Sequence, residues 1–279
     1  MYIPKTEFIF PKKTDDQIFK VRYKRKIHLN SQYYERLKRF CFKFVRFFFR
    51  ILFILIALPL VKTRYHIKVE GREELKKYKK ALKKGGFITV SNHVFLWDFV
   101  ALCAAMKMGF PTVPMLNELI YSKYGGIFTM AGAVAIPKDN GAFRSFYEFM
   151  SDTFKQNKWV HVYPEKGIWY YYAPIRPFFR GAAYFAYTYN KPIVPVGYSY
   201  RERHGIAKWL NKKDPYITVH IGEPIYPDLT LNKRDAVNKL NKEVRSKIIN
   251  MVGFASEEEN DRVAKENYRY ENGHYYTTF

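Results

Sequence analysis

Residues 86–108 read GFITVSNHVFLWDFVALCAAMKM. Phe87, Ile88, Thr89 and Val90 are a short apolar and β-branched run behind a glycine pair, which is a strand signal. From Phe99 to Met108 the residues are almost all apolar, as in a buried helix. Between the two stand Ser91, Asn92, His93 and Asp98. A strand running into a helix is the repeating half of a parallel sheet.

The alternation continues downstream. Residues 112–115 read as a strand, followed by a helical stretch to Met130, a strand at 133–136, and a helix at 142–156 with Phe143, Phe146, Phe149 and Phe154 at helical spacing. Further strands are expected at 159–163, 192–200 and 216–221, with a helix at 181–189 between the first two. The pattern predicts an α/β fold with a mostly parallel sheet flanked by helices. Ligands of such sheets gather at the carboxyl ends of the strands. Asn232 is the expected N-cap of a helix carrying Val237, Leu240, Val244, Ile248 and Met251 on one face and ending near Gly253. The polar tail that follows is expected to be loosely held or a short docking helix. Three regions result: a basic N-terminal region at 1–62, a central domain at 63–255 and a C-terminal tail at 256–279.

Of the 279 residues, 48 are Lys or Arg and 25 are Asp or Glu, a net charge of +23. Residues 1–50 hold fourteen of those cations against Glu7, Asp15, Asp16 and Glu35. Such a balance suits an anionic partner: a phospholipid surface, a phosphorylated substrate or nucleic acid. Aromatics form 19% of the chain, and rings interleaved with cations fit a headgroup layer, although RNA-binding surfaces share the pattern. No early apolar core precedes a small-residue cleavage site, so no cleaved signal is expected. The first apolar block, Phe47 to Val61, is interrupted by Arg50 and closed by Lys62, and its uninterrupted part is shorter than the roughly 20 residues of a spanning helix. Basic residues flank both ends, so insertion into one leaflet or the interface is favoured over a span or a buried core helix. Cys41 and Cys103 are the only cysteines, which suggests neither a disulfide scaffold nor a zinc site and fits the cytoplasmic face of a membrane.

His93 ends a strand, and Asp98 follows five residues later at the start of a helix. A carboxylate so placed can hold the imidazole in one tautomer through Nδ1–H, leaving Nε2 to accept a proton from an alcohol. Alone, that spacing is more often a satisfied structural histidine. Three more segments join it: Gly132-Ala133-Val134-Ala135-Ile136-Pro137-Lys138, Val162-Tyr163-Pro164-Glu165-Lys166-Gly167-Ile168-Trp169, and Ile193-Val194-Pro195-Val196. Between the last two lies Arg176-Pro177-Phe178-Phe179-Arg180-Gly181-Ala182-Ala183. In this order and spacing, with Asn92 to Asp98 as the first block, the chain resembles the glycerolipid acyltransferases, which act on lysophosphatidate or glycerol-3-phosphate, across roughly 65–225.

That resemblance implies a membrane-associated O-acyltransferase moving a fatty acyl group from acyl-CoA or acyl carrier protein to a lysoglycerolipid hydroxyl. The first-choice acceptor is 1-acylglycerol-3-phosphate; another lysophospholipid or a glycolipid is the alternative. His93 and Asp98 would be catalytic, and Asn92, Lys138, Glu165, Lys166, Gly167, Arg176 and Arg180 would serve the substrates. Lys138 would contact the acceptor phosphate where the family more usually has arginine, so bidentate geometry is lost. Lys166, Arg176 and Arg180 would help it or be ordinary surface charge. Backbone amides near Gly167 are candidate oxyanion donors. Glu165 either organises the site or holds its loop. The pattern departs after Glu165, because Lys166 precedes the glycine. No cofactor, metal or nucleic acid is called for beyond the acyl thioester and membrane lipid. A metal set of His93, Asp98, His161 and Glu165 lacks ligand spacing. A basic, non-enzymatic membrane- or RNA-binding protein would explain the charge but not the four blocks.

Overall fold

The five residues Phe87–Ser91 are all buried and form the middle of a sheet. The computed structural model describes residues 2–20, 29–138, 140–205, 214–271 and 277–278. Along the chain these give β1 (Phe10–Pro11), β2 (Phe19–Lys20), α1 (Ser31–Lys38), α2 (Phe40–Tyr65), β3 (Lys68–Glu70), α3 (Arg72–Gly85) and β4 (Phe87–Ser91). Then come α4 (Asp98–Met106), β5 (Val113–Leu116), α5 (Asn117–Tyr121), α6 (Gly125–Ala131), β6 (Ala133–Ile136), α7 (Asn140–Lys155) and β7 (Trp159–Val162). Last are α8 (Gly181–Tyr189), β8 (Ile193–Arg201), β9 (Tyr216–Ile221), α9 (Lys233–Val252), α10 (Glu257–Asn267), β10 (Tyr270–Glu271) and β11 (Thr277–Thr278).

The main sheet has the order β3-β9-β8-β4-β7, parallel throughout except between β8 and β9. β5 and β6 form a parallel pair, and Thr112 bridges to Val160 and so continues the sheet from β7. Strands covered on both faces read as unbroken apolar runs, which is why β4 and β8 are visible in the sequence. Phe87, Trp159, Val194 and Val196 pack on one face with Leu75 and Leu82 of α3 and Leu102 of α4. Ile88, Val90, Val160 and Ile193 pack on the other with Phe146 and Met150 of α7, Ala186 of α8 and Val244 and Ile248 of α9.

The stretch expected to be helical up to Met130 is two helices. Ser122 Oγ donates to the Leu119 carbonyl at 2.7 Å and accepts from the Tyr124 amide at 3.3 Å, a local alternative to the helical bond. A Cβ on Gly125 would lie 1.8 Å from the Ile120 carbonyl oxygen, so the turn admits only glycine there.

Packing runs across the sequence boundaries at 62 and 255. Phe10 and Ile18 are fully buried, and Phe10 stacks on Trp169 with centroids 5.1 Å apart. β1 pairs with β10, so the two ends of the chain meet. The tail is a docked helix: Asn260, 1% exposed, accepts from the Ile175 amide at 2.7 Å and donates to its carbonyl at 3.0 Å.

α2 has 26 residues, about 39 Å at the usual helical rise. It is long and apolar enough to cross a membrane by length and composition. One stripe along its length faces the domain: Ala57, Val61 and Tyr65 are buried, and Phe53 and Leu58 pack against the core. Arg46 donates to the Thr129 carbonyl at 2.9 Å, and Arg50 to those of Met130 at 3.3 Å and Ala131 at 3.1 Å. Two cations thus satisfy carbonyls at the α6 C-terminus. Phe40, Phe44, Phe47, Phe48, Leu52 and Leu55 form an exposed ridge on the other side.

Candidate active site

His93 stands just beyond the carboxyl end of β4. The chain leaves the sheet there because Asn92 takes over the ladder: its Oδ1 accepts from the Tyr198 amide at 2.9 Å and its Nδ2 donates to the Tyr198 carbonyl at 3.1 Å. β8 therefore keeps its hydrogen bonds while the β4 backbone turns away. Val94 and Phe95, at 1% and 0% exposure, anchor the turn in the core and lead into α4.

Asp98 opens α4, where the helix dipole favours negative charge. Its Oδ2 lies 2.5 Å from His93 Nδ1 and 3.3 Å from the Val94 amide, and its Oδ1 accepts from the Tyr163 hydroxyl at 2.8 Å. The carboxyl group is 1% exposed and the imidazole 16%. A carboxylate on Nδ1 selects the tautomer with its proton there, and no described residue bonds to Nε2. The imidazole plane lies over the Tyr163 ring, centroids 3.9 Å apart at 22°. The imidazole is thus held in one orientation with Nε2 open, an arrangement that can accept a proton.

The loop after β7 closes round this turn. Trp169 N–H donates to the His93 carbonyl at 3.0 Å and Tyr171 N–H to that of Val94 at 2.8 Å. Glu165 Oε2 accepts from the His93 amide at 3.1 Å and from Arg176 at 2.9 Å, while Oε1 accepts from the Arg176 amide at 2.8 Å. Both side chains are 1% exposed. The Arg176 guanidinium also donates to the Thr14 carbonyl at 2.9 Å and lies 4.5 Å from the Trp169 ring centroid. Burial lowers its pKa, an effect opposed by Glu165.

Residues 66–199 match the family described as Acyltransferase. Residues 66–199 form a domain of the acyltransferase family. Among solved structures it is similar to "1-acyl-sn-glycerophosphate (LPA) acyltransferase, PlsC, from Thermotoga maritima", at 18% identity over 64% of this chain and 70% of that one, with a TM-score of 0.40. No curated protein matches the chain.

In this acyltransferase-family domain His93, Asp98, Asn92, Glu165 and Arg176 converge on one turn, and their contacts divide their work. Asn92 is buried with both amide atoms engaged by Tyr198, so it builds the turn. Arg176 lies in the interior, paired with Glu165, neither on the surface nor open to a phosphate. The Lys166 ammonium is 3.1 Å from Asp15 and 3.3 Å from the Phe179 ring centroid. Arg180 donates to Asn238 of α9 at 3.0 Å. The Gly167 amide donates to the Glu165 carbonyl at 2.9 Å and that of Lys166 to the Tyr163 carbonyl at 3.2 Å, so neither is free for an oxyanion. Gly167 is needed for another reason: a Cβ there would meet the Asp16 carbonyl at 2.8 Å.

Lys138 follows β6 and pairs with Glu118 of α5. β4, β7, β5 and β6 run parallel in that order, so Lys138 shares the sheet edge with His93, three strands or about 14 Å away. Gly132, at φ 135°, would bring a Cβ within 2.3 Å of the Pro111 carbonyl oxygen, which explains the glycine opening the second block. Among the described residues no three His, Cys, Asp or Glu side chains are grouped to hold a metal ion. His161 is fully buried, its Nδ1 2.8 Å from Thr89 Oγ1. Tyr163, quoted in the third block without a role, is the contact that sequence reasoning missed.

Proposed function

We propose that the chain moves a fatty acyl group from a thioester to the hydroxyl of a lysoglycerolipid, with 1-acylglycerol-3-phosphate as acceptor and phosphatidic acid as product. The observation that carries this is the buried Asp98 on His93 Nδ1 with Nε2 left open. The acceptor hydroxyl gives its proton to Nε2 as its oxygen bonds to the thioester carbonyl carbon. The carbon–sulfur bond then breaks, and the departing sulfur takes that proton, leaving an ester and a thiol. Proton transfer of this kind is worth about 10² to 10⁴ in rate.

Lys138 supports a phosphate-bearing acceptor, since it is 64% exposed on the sheet edge that carries His93. Its pairing with Glu118 favours a second reading, an acceptor with a hydroxyl-rich or zwitterionic headgroup. A groove of about 210 Å³ between α2 and α4, walled by Phe53, Leu58, Val100, Cys103 and Phe110, suits an alkyl chain. Cys103 is five residues along α4 from Asp98, about 7.5 Å. The thioester carrier is acyl-CoA or acyl carrier protein.

The α2 ridge supports membrane association. Domain contacts spread along the helix, so a crossing orientation would carry the domain into hydrocarbon; the ridge instead fits one leaflet of an interface. The positive charge favours an anionic cytoplasmic leaflet, and the two free cysteines suit that side. Purified protein incubated with labelled acyl-CoA or acyl carrier protein thioesters and a panel of lyso-acceptors tests the assignment. Phosphatidic acid as the main product supports the first reading. Selective loss with phosphate-bearing acceptors in Lys138→Ala supports its phosphate role, and equal loss with all of them contradicts it.

A further inference from the structure

The Tyr163 ring contacts His93 while its hydroxyl reaches Asp98, so both members of the pair meet one side chain. The β4–β7 register, with Val90 opposite Val162, brings Tyr163 beside the turn. Its hydroxyl donates at 2.8 Å to Oδ1, the Asp98 oxygen that His93 does not use. Its ring lies 3.9 Å from the imidazole on one side and meets His161 at 4.3 Å and 88° on another. His161 is itself held by Thr89, which also accepts from Trp159 Nε1 at 2.8 Å. Any aromatic side chain would supply the stacking. Only tyrosine supplies the bond, and at 1% exposure Asp98 has little access to water as a replacement.

We propose that Tyr163 is a positioning residue for the base: its hydroxyl fixes and partly neutralises Asp98, its ring fixes the imidazole plane, and together they set the pH above which Nε2 is free to take a proton. This rests on the acyl-transfer reading only for its effect on turnover. The phenol is a donor throughout, because a carboxylate only accepts, and because burial and the Asp98 charge raise the Tyr163 pKa well above its ordinary value. That hydroxyl is therefore committed and does not serve as an oxyanion donor.

The other titratable groups around the pair are Glu165 with its partner Arg176, Tyr170 on the same loop, His161 on β7, Tyr198 and Tyr200 on β8 and Cys103 on α4. Burial pushes the His161 pKa down to about 3 and those of the tyrosines and the thiol up. None of these five changes charge near neutrality. Removing the phenol leaves more of the Asp98 charge facing the imidazolium, which strengthens the protonated form of His93.

The test is Tyr163→Phe in the full chain, which keeps the ring and the fold. Its kcat/KM profile is expected to show the acid limb moved up by about one pH unit, a roughly tenfold loss below the limb. A drop of equal size at every pH, with the limb in place, is what a structural role gives, and it overturns the proposal. A second readout needs no turnover: in ¹³C-histidine-labelled protein, with the signal assigned by His93→Gln, the His93 titration midpoint rises in Tyr163→Phe. An unmoved midpoint also overturns it. A moved midpoint in a protein that acylates no lyso-acceptor upholds the role of Tyr163 and rejects acyl transfer.

Discussion

The Glu165 carboxylate accepts from the Arg176 guanidinium at 2.9 Å and, through the same oxygen, from the His93 amide at 3.1 Å. A buried ion pair thus sets the backbone of His93. Breaking such a pair leaves an uncompensated charge, at about 3 to 5 kcal/mol. Glu165→Gln and Arg176→Met should each lower stability by that order, read by urea unfolding. Arg176→Lys should not restore it, because an ammonium cannot make the forked contacts to Glu165 and the Thr14 carbonyl. Wild-type stability in Arg176→Met would show that the pair does not hold the loop.

Asn92 holds β4 to β8 where the backbones have parted. Asn92→Ala strands the Tyr198 amide and carbonyl in the interior, at about 1 to 3 kcal/mol for each unsatisfied group. The denaturation midpoint should fall accordingly. An unchanged midpoint would contradict the ladder role.

His161 makes stability depend on pH. Burial, with the nearby His93 charge, holds its pKa at about 3, against about 6.5 in an unfolded chain. Between those values the unfolded chain binds a proton that the folded one refuses, so stability falls as pH falls, by up to about 1.4 kcal/mol per unit. Comparing unfolding free energies from pH 7 to pH 4 with those of His161→Gln isolates this dependence. The variant should show the shallower slope; equal slopes would mean that His161 titrates normally in the fold.

The α2 ridge should act in membrane binding alone. Phe44, Phe48, Leu52 and Leu55 are each more than half exposed, so changing them to serine removes little packing. Each ring or leucine that enters lipid contributes up to about 1.5 to 3 kcal/mol. The quadruple variant should keep its unfolding midpoint and lose co-flotation with anionic vesicles. Undiminished flotation would place the contact elsewhere.

Local features were the legible ones. Phe87 to Val90 read as a strand because a sheet covered on both faces asks for an unbroken apolar run, and the His93–Asp98 pair spans one short turn. Contacts fixed by tertiary register were not legible. Tyr163 reaches Asp98 across 65 positions and Trp169 reaches the Asp16 carbonyl across 153. Basic residues dominate 1–50, so that region read as a charged surface, yet Phe10 and Ile18 fill the interior. Arg176 read as a helper for phosphate because its sequence neighbours say nothing of Glu165 behind it.

The most direct measurement is acyl transfer by His93→Ala in membranes or detergent, at pH 7.5 or so, beside a thermal melt of the same preparation. Base catalysis through Nε2 requires turnover to fall by about 10² to 10⁴ while the melt is unchanged. Folded His93→Ala protein that still transfers acyl groups within a few-fold of wild type would remove the imidazole from the reaction.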